Sequence, residues 1–148
     1  MRLATPADTA AAGAALAAVL RPGDAVALSG PLGAGKTSLA RGLLAALGVA
    51  GEVPSPSFPI VIAYDPPEVR LPVLHVDLYR IDDPADIAEL GLDEARADAA
   101  LLIEWPERMG AALWADVLGL TIAPEADGGR RLTWVAPKAW DGRWPPSR

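Results

Sequence analysis

The sequence predicts an α/β fold in which one domain, residues 1–136, is built on a central mixed, partly parallel sheet flanked by helices. Three observations carry this. The segment Gly30-Pro31-Leu32-Gly33-Ala34-Gly35-Lys36-Thr37 satisfies G-x-x-x-x-G-K-[ST], the phosphate-binding P-loop, between an apolar strand and an apolar helix. The run Ala99 to Ile103 is apolar without interruption and ends in Glu104-Trp105, as expected of a parallel strand covered on both faces. Two further pairs of strand-length runs are joined by turn residues and read as hairpins. Together they describe a P-loop NTPase-like domain.

At 148 residues the chain has length for one domain and little more. It holds no cysteine, so disulfides and Cys-ligated metals are excluded, which fits a cytoplasmic setting. The net charge of −6, with no basic run, argues against a direct grip on nucleic acid, because such affinity rests on neutralising phosphates. Any RNA would be held through a partner. No stretch is long and apolar enough to span a bilayer.

Taken in order, Thr5 suits a helix cap, Pro6 the first helical position, and Asp8 the acid that favours the helix dipole. Ala10 to Leu20 therefore reads as an amphipathic helix. A signal-peptide reading is rejected because Asp8 and Thr9 interrupt the approach and the run is mostly alanine. Thr9 and Gly13 share a face of this helix with Leu16 and Leu20. Spacing leaves open whether they admit a ligand or only helix packing.

Pro22-Gly23-Asp24 leads into a strand at Ala25 to Ser29, and the P-loop follows. Leu39, Leu43, Leu44 and Leu47 then form one helical stripe ending at Gly48, suited to a left-handed stop. Gly33 and Gly35 let backbone N–H groups converge on a single point, to which the helix N-terminus adds partial positive charge. The loop residues Leu32, Gly33, Ala34, Gly35, Lys36, Thr37 and Ser38 form the candidate phosphate cradle. Lys36 would reach the β- and γ-phosphates, Thr37 a Mg²⁺ ion, and Ser38 the α-phosphate. Lysine looks chosen there, since Lys138 is the chain's only other lysine.

Glu52 to Pro59 carries three prolines that forbid helix, with Ser55, Ser57 and Phe58 among them. It reads as a loop able to sense a γ-phosphate or as a stiff linker. Ile60 to Tyr64 and Leu71 to Val76 read as a hairpin across Asp65-Pro66-Pro67. His75 and Asp77 share one strand face, and Asp77 ends the strand where a metal or an attacking water would lie. Asp83-Pro84 opens a further helix that Gly91 breaks. The run ending at Glu104 offers a second carboxylate, and the residues alone do not decide which of Asp77 and Glu104 touches metal. Trp105 would wall the site against water. Val117 to Ala123 and Arg131 to Ala136 read as a hairpin around Asp127-Gly128-Gly129, and residues 137–148 as a loosely held tail.

With these residues read, the chain resembles the TsaE family, the small bacterial ATPases of tRNA threonylcarbamoyladenosine synthesis. The marks are Thr9 to Gly13, the P-loop, Arg41-Gly42, Ser55 to Phe58, His75-Val76-Asp77-Leu78-Tyr79-Arg80, Glu89-Leu90-Gly91 and Glu104-Trp105-Pro106-Glu107-Arg108. They extend from Thr9 to about Arg131. The resemblance implies ATP and Mg²⁺ as cofactors and the TsaB and TsaD proteins as partners, with tRNA met only through the complex. It implies Thr37 and Glu104 as metal partners and Asp77 as the residue that positions or activates the attacking water; Lys36, on the β- and γ-phosphates, is the other catalytic candidate. Thr9, Glu107 and Arg130 become nucleotide contacts, Ser55 to Phe58 a switch loop, and Trp105 a cover over the nucleotide. Ser38 and Ser57 depart from the family's common threonine, keeping the hydroxyl and losing a methyl. Two rival readings remain at this point, a nucleotide-gated binding module with incidental turnover and a small-molecule kinase.

Overall fold

The computed structural model describes residues 1–146. Its strands are β1 (Arg2–Leu3), β2 (Ala25–Ser29), β3 (Val61–Tyr64), β4 (Val73–Asp77), β5 (Ala100–Glu104), β6 (Leu118–Pro124) and β7 (Arg130–Val135). Its α-helices are α1 (Pro6–Ala17), α2 (Lys36–Leu47), α3 (Pro84–Ala88) and α4 (Leu92–Ala95), with 3₁₀ segments at Pro106–Ala112 and Lys138–Trp140. The strands form one sheet in the order β1-β7-β6-β2-β5-β4-β3. β2 runs parallel to β5 and β6, and β4 parallel to β5, whereas the pairs at both edges are antiparallel. The mixed, partly parallel sheet is the predicted one.

Side-chain alternation divides the core into two layers. Val26, Leu28, Leu102 and Leu120 pack with Leu16, Leu39 and Leu43 on the α1 and α2 side. Ala25, Val76, Leu101 and Ile103 pack with Ile87, Leu92 and Met109 on the opposite side. Because side chains alternate along a strand, Glu104 falls on the face of Leu102, and His75 and Asp77 on the face of Val73. All three acidic and imidazole groups thus look toward α2.

The first helix starts as expected. Thr5 Oγ1 accepts from the Asp8 N–H at 3.2 Å, and Asp8 Oδ2 accepts from the Thr5 N–H at 3.0 Å, closing a capping box. The helix ends at Ala17, short of Leu20. Val19 and Leu20 donate three residues back, to Leu16 and Ala17, tightening the last turn before Pro22. A Cβ on Gly13 would stand 2.2 Å from the Leu39 carbonyl oxygen, and one on Gly42 2.4 Å from that of Ala10. Gly13 therefore serves the close crossing of α1 and α2.

Two features had no signal in the pattern. β1 is two residues long, too short to show a period, and pairs Arg2 with Arg131 and Leu3 with Arg130. The 3₁₀ segment Pro106–Ala112 follows Trp105, which itself is left-handed at φ 59°. The expected loose tail is corrected for the described residues. Trp140 and Trp144 are 1% and 3% exposed, and Trp144 meets Trp134 edge-on at 5.8 Å. Arg143 bonds the Asp24 carboxylate and the Val19 carbonyl, the latter at 2.8 Å. Two indoles bury enough apolar area to hold a segment whose regular structure is a single short 3₁₀ turn. The last two positions of that expected tail, 147 and 148, lie outside the described residues.

Candidate functional site

The P-loop leaves β2 at Ser29 and enters α2 at Lys36. Gly35 caps α2 at φ 111° and no side chain bonds the helix's first amides, which leaves them available to an anion. Lys36 is 5% exposed. Its ammonium donates to the carbonyls of Gly30 and Pro31, the latter at 3.1 Å, and stands 4.2 Å over the Trp105 ring. Burial lowers the Lys36 pKa, opposed by the charges of Glu104, Glu107 and Asp77.

In the first turn of the helix, Thr37 meets the end of β5. Its Oγ1 lies 3.0 Å from Glu104 Oε1 and 3.3 Å from Oε2. Glu104 is 2% exposed and its Oε2 is 2.7 Å from His75 Nε2. Asp77, beside Glu104 in the β4–β5 register, accepts from the Tyr79 N–H through Oδ1 at 2.9 Å. Its Oδ2 accepts from the Ser57 hydroxyl at 3.3 Å, and Ser57 meets Ser55 at 2.8 Å. The proline-rich loop is thereby tied to the end of β4.

These groups line a cleft of about 210 Å³ with Leu32, Gly33, Ala34, Gly35, Lys36, Thr37 and Ser38 on one side, and Ser57, Asp77, Glu104 and Trp105 on the other. A second cavity of about 150 Å³ lies across Gly33 to Gly35, walled by Leu3 to Pro6, Thr9, Ser38, Gly128 and Arg130. Arg130 reaches over the loop, donating to the Ala34 carbonyl at 2.9 Å and to that of Gly33 at 3.3 Å. Thr9, on α1, and Arg130, on β7, are thus brought to the P-loop from elements far apart in the chain.

The structure leaves Glu107 outside both linings, exposed at the start of the 3₁₀ segment, where it acts on Lys36 through its charge. Three features escaped the sequence reading: the Leu3 to Pro6 wall, Gly128, and the contact of His75 with Glu104. Only the last had a usable signal, since parallel strands ending together bring diagonal neighbours within reach. Among the described residues no three His, Asp or Glu side chains gather as a metal cluster. The hydroxyl and carboxylate of Thr37 and Glu104 form instead the oxygen pair suited to a hard cation that shares its shell with phosphates and water.

The family model "Threonylcarbamoyl adenosine biosynthesis protein TsaE" matches residues 3–132. A Streptomyces coelicolor protein named tRNA threonylcarbamoyladenosine biosynthesis protein TsaE is 44% identical over 111 residues, 74% of this chain and 75% of that one. The Bacillus subtilis protein of the same name is 35% identical over 136 residues, 91% of this chain and 84% of its own. The crystal structure of Bacillus subtilis YdiB superposes with a TM-score of 0.79 at 33% identity, covering 92% of this chain and 83% of that one.

Proposed function

The chain belongs to the TsaE family of threonylcarbamoyl adenosine biosynthesis proteins, and from that premise we propose that it binds and hydrolyses ATP with Mg²⁺ in that pathway. The observation that carries this is the contact of Thr37 with the buried Glu104 at the foot of the P-loop, with Asp77 lining the same cleft beside Glu104. Thr37 and Glu104 would hold the cation. A Mg²⁺ ion held by these two residues would supply positive charge to offset the charge that develops on the transferring phosphoryl group.

The chain's own groups supply the rest. The free amides of α2 and the Lys36 ammonium bind phosphate oxygens, Lys36 exchanging its two carbonyl partners for them. Ser38, Thr9 and Arg130 face the nucleoside end through the second cavity. Trp105 shields the Lys36 side of the cleft from water. Asp77 orients the attacking water and takes its proton, with Ser57 reporting on the outcome through its bond to the same carboxylate.

TsaB and TsaD would act as partners that complete the site and hold the tRNA. Three arginines near it are already engaged: Arg41 with the Val53 carbonyl at 2.9 Å, Arg80 over Phe58 at 4.4 Å, and Arg130 on the P-loop. Leu32 and Phe58, beside the cleft, are 69% and 81% exposed, surface that a partner could cover. Hydrolysis by the isolated chain is therefore slow and rises when the partners bind. Phosphate release should be measured alone and with TsaB, TsaD and tRNA, alongside multiple-turnover tRNA modification. Tens of turnovers per second by the chain alone, or full modification without it, would overturn the proposal.

The tie from Ser57 to Asp77 also favours a second reading, in which ATP sets the loop conformation that partners recognise and turnover is incidental. Full repeated modification by Asp77→Asn, still binding ATP, would favour that reading.

A further inference from the structure

We propose that His75 is a positioning residue for the cation site, donating Nε2–H to Glu104 and fixing how that carboxylate presents its second oxygen to Thr37. The role rests on the reading of Thr37 and Glu104 as cation partners.

His75 is 0% exposed and Glu104 2%, with Nε2 and Oε2 2.7 Å apart. The two strands set this contact. β4 and β5 run parallel with His75 beside Leu102 and Asp77 beside Glu104, so the imidazole reaches the carboxylate on the diagonal. A carboxylate oxygen accepts, so Nε2 carries the hydrogen. The other ring nitrogen, Nδ1, is buried with no hydrogen-bond partner. A hydrogen on Nδ1 would leave a buried donor unpaired, a costly arrangement, so the ring is the Nε2–H tautomer.

The consequence falls on Glu104. Its Oε1 is bonded by Thr37 at 3.0 Å, while Oε2 has His75 at 2.7 Å and only a longer contact to Thr37 at 3.3 Å. Without the imidazole, a carboxylate almost wholly out of water would keep one donor for two oxygens and would rotate to share it. Outer partners of metal ligands commonly act in this way, holding ligand orientation without touching the ion. A histidine that merely filled the face of the sheet would need no donor aimed at Glu104.

The chain has one histidine, so its imidazole nitrogens are read without ambiguity. Long-range ¹⁵N–¹H correlation on the nucleotide-free full chain should show the Nε2–H tautomer, and an Nδ1–H tautomer would overturn the proposal. Calorimetry should then compare ATP binding with and without Mg²⁺ for wild type, His75→Leu and His75→Gln. In His75→Leu the Mg²⁺ midpoint should rise about 10- to 100-fold while metal-free ATP affinity stays within about threefold. His75→Gln restores an N–H donor and should recover most of the shift. An unchanged midpoint in His75→Leu, or no recovery in a folded His75→Gln, would overturn the role. Should wild type itself gain nothing from Mg²⁺, the cation reading fails, whereas the tautomer is measured without metal and still reports on the His75–Glu104 pair. If His75→Leu does not fold, the tautomer and His75→Gln carry the test.

Discussion

Thr37 and Glu104, 67 positions apart in the chain, meet with Oγ1 3.0 Å from Oε1 where the first turn of α2 faces the end of β5. A hydroxyl and a buried carboxylate in direct contact can open to admit a cation between them. Glu104→Gln keeps the shape and removes the charge. ATP affinity without metal should change little, whereas the gain in affinity from Mg²⁺ should be lost and hydrolysis should fall about 10²-fold or more. Calorimetry with and without chelator, beside phosphate release, checks this.

Asp77 and Glu104 sit side by side in register yet hold different partners, Ser57 and Tyr79 for the first, Thr37 and His75 for the second. Asp77→Asn should therefore separate binding from chemistry. Mg²⁺-ATP affinity should stay within a few-fold while single-turnover hydrolysis drops about 10²- to 10⁴-fold. Equal loss of both would mean that Asp77 belongs to the cation site.

Gly13 lies against the backbone of α2 with no space for a methyl group. Gly13→Ala should cost about 1–3 kcal/mol through overpacking, despite alanine's better helix propensity. Urea unfolding would show a lower midpoint at unchanged slope. A stabilised variant would mean that the helices separate freely.

Trp140 is buried at the C-terminal end of the chain, its indole N–H donating to the Asp116 carbonyl at 3.2 Å. Trp140→Ala should destabilise by about 3–5 kcal/mol, as large-to-small changes in a packed core do. Thermal melting of this variant and of a chain ending at residue 136 checks it. Neither melting curve would move if the segment were a dangling tail.

Asp116 pairs with Arg96, which donates to it twice, at 3.0 and 2.9 Å, and holds its pKa below the ordinary value of about 3.9. The folded state thus binds its proton less readily than the unfolded chain. The stabilisation is complete above the unfolded value and is lost as pH falls through the depressed folded value. Because the carboxylate is 53% exposed, the effect should be under about 1 kcal/mol. Asp116→Asn should flatten the acid limb of the stability–pH curve below about pH 4, measured by denaturant titration at each pH.

Much of the fold was legible because its signals are local. The Thr5 cap with Asp8, the stripe from Leu39 to Leu47, and the apolar run into Glu104 each declare an element through spacing or composition. The P-loop likewise announces its chemistry in eight consecutive residues. β1 could not be read, since two residues define no period and its hydrogen bonds lie with a strand more than a hundred positions away. The tail misled for a related reason. Prolines and irregular backbone signal a loop, but Trp140 and Trp144 find their partners only after the sheet and α1 exist.

Sequence by itself determined that this chain carries a phosphate-binding loop between β2 and α2, and that acids end two of its strands. It left Gly13 divided between ligand access and helix packing, and it left His75 without a partner. Those were decided by tertiary structure, because the sheet order puts β5 beside both β2 and β4 and strand alternation turns Glu104, Asp77 and His75 to one face. Which donor meets which acceptor depends on distances between chain segments remote in sequence, and such distances exist only once the sheet is assembled.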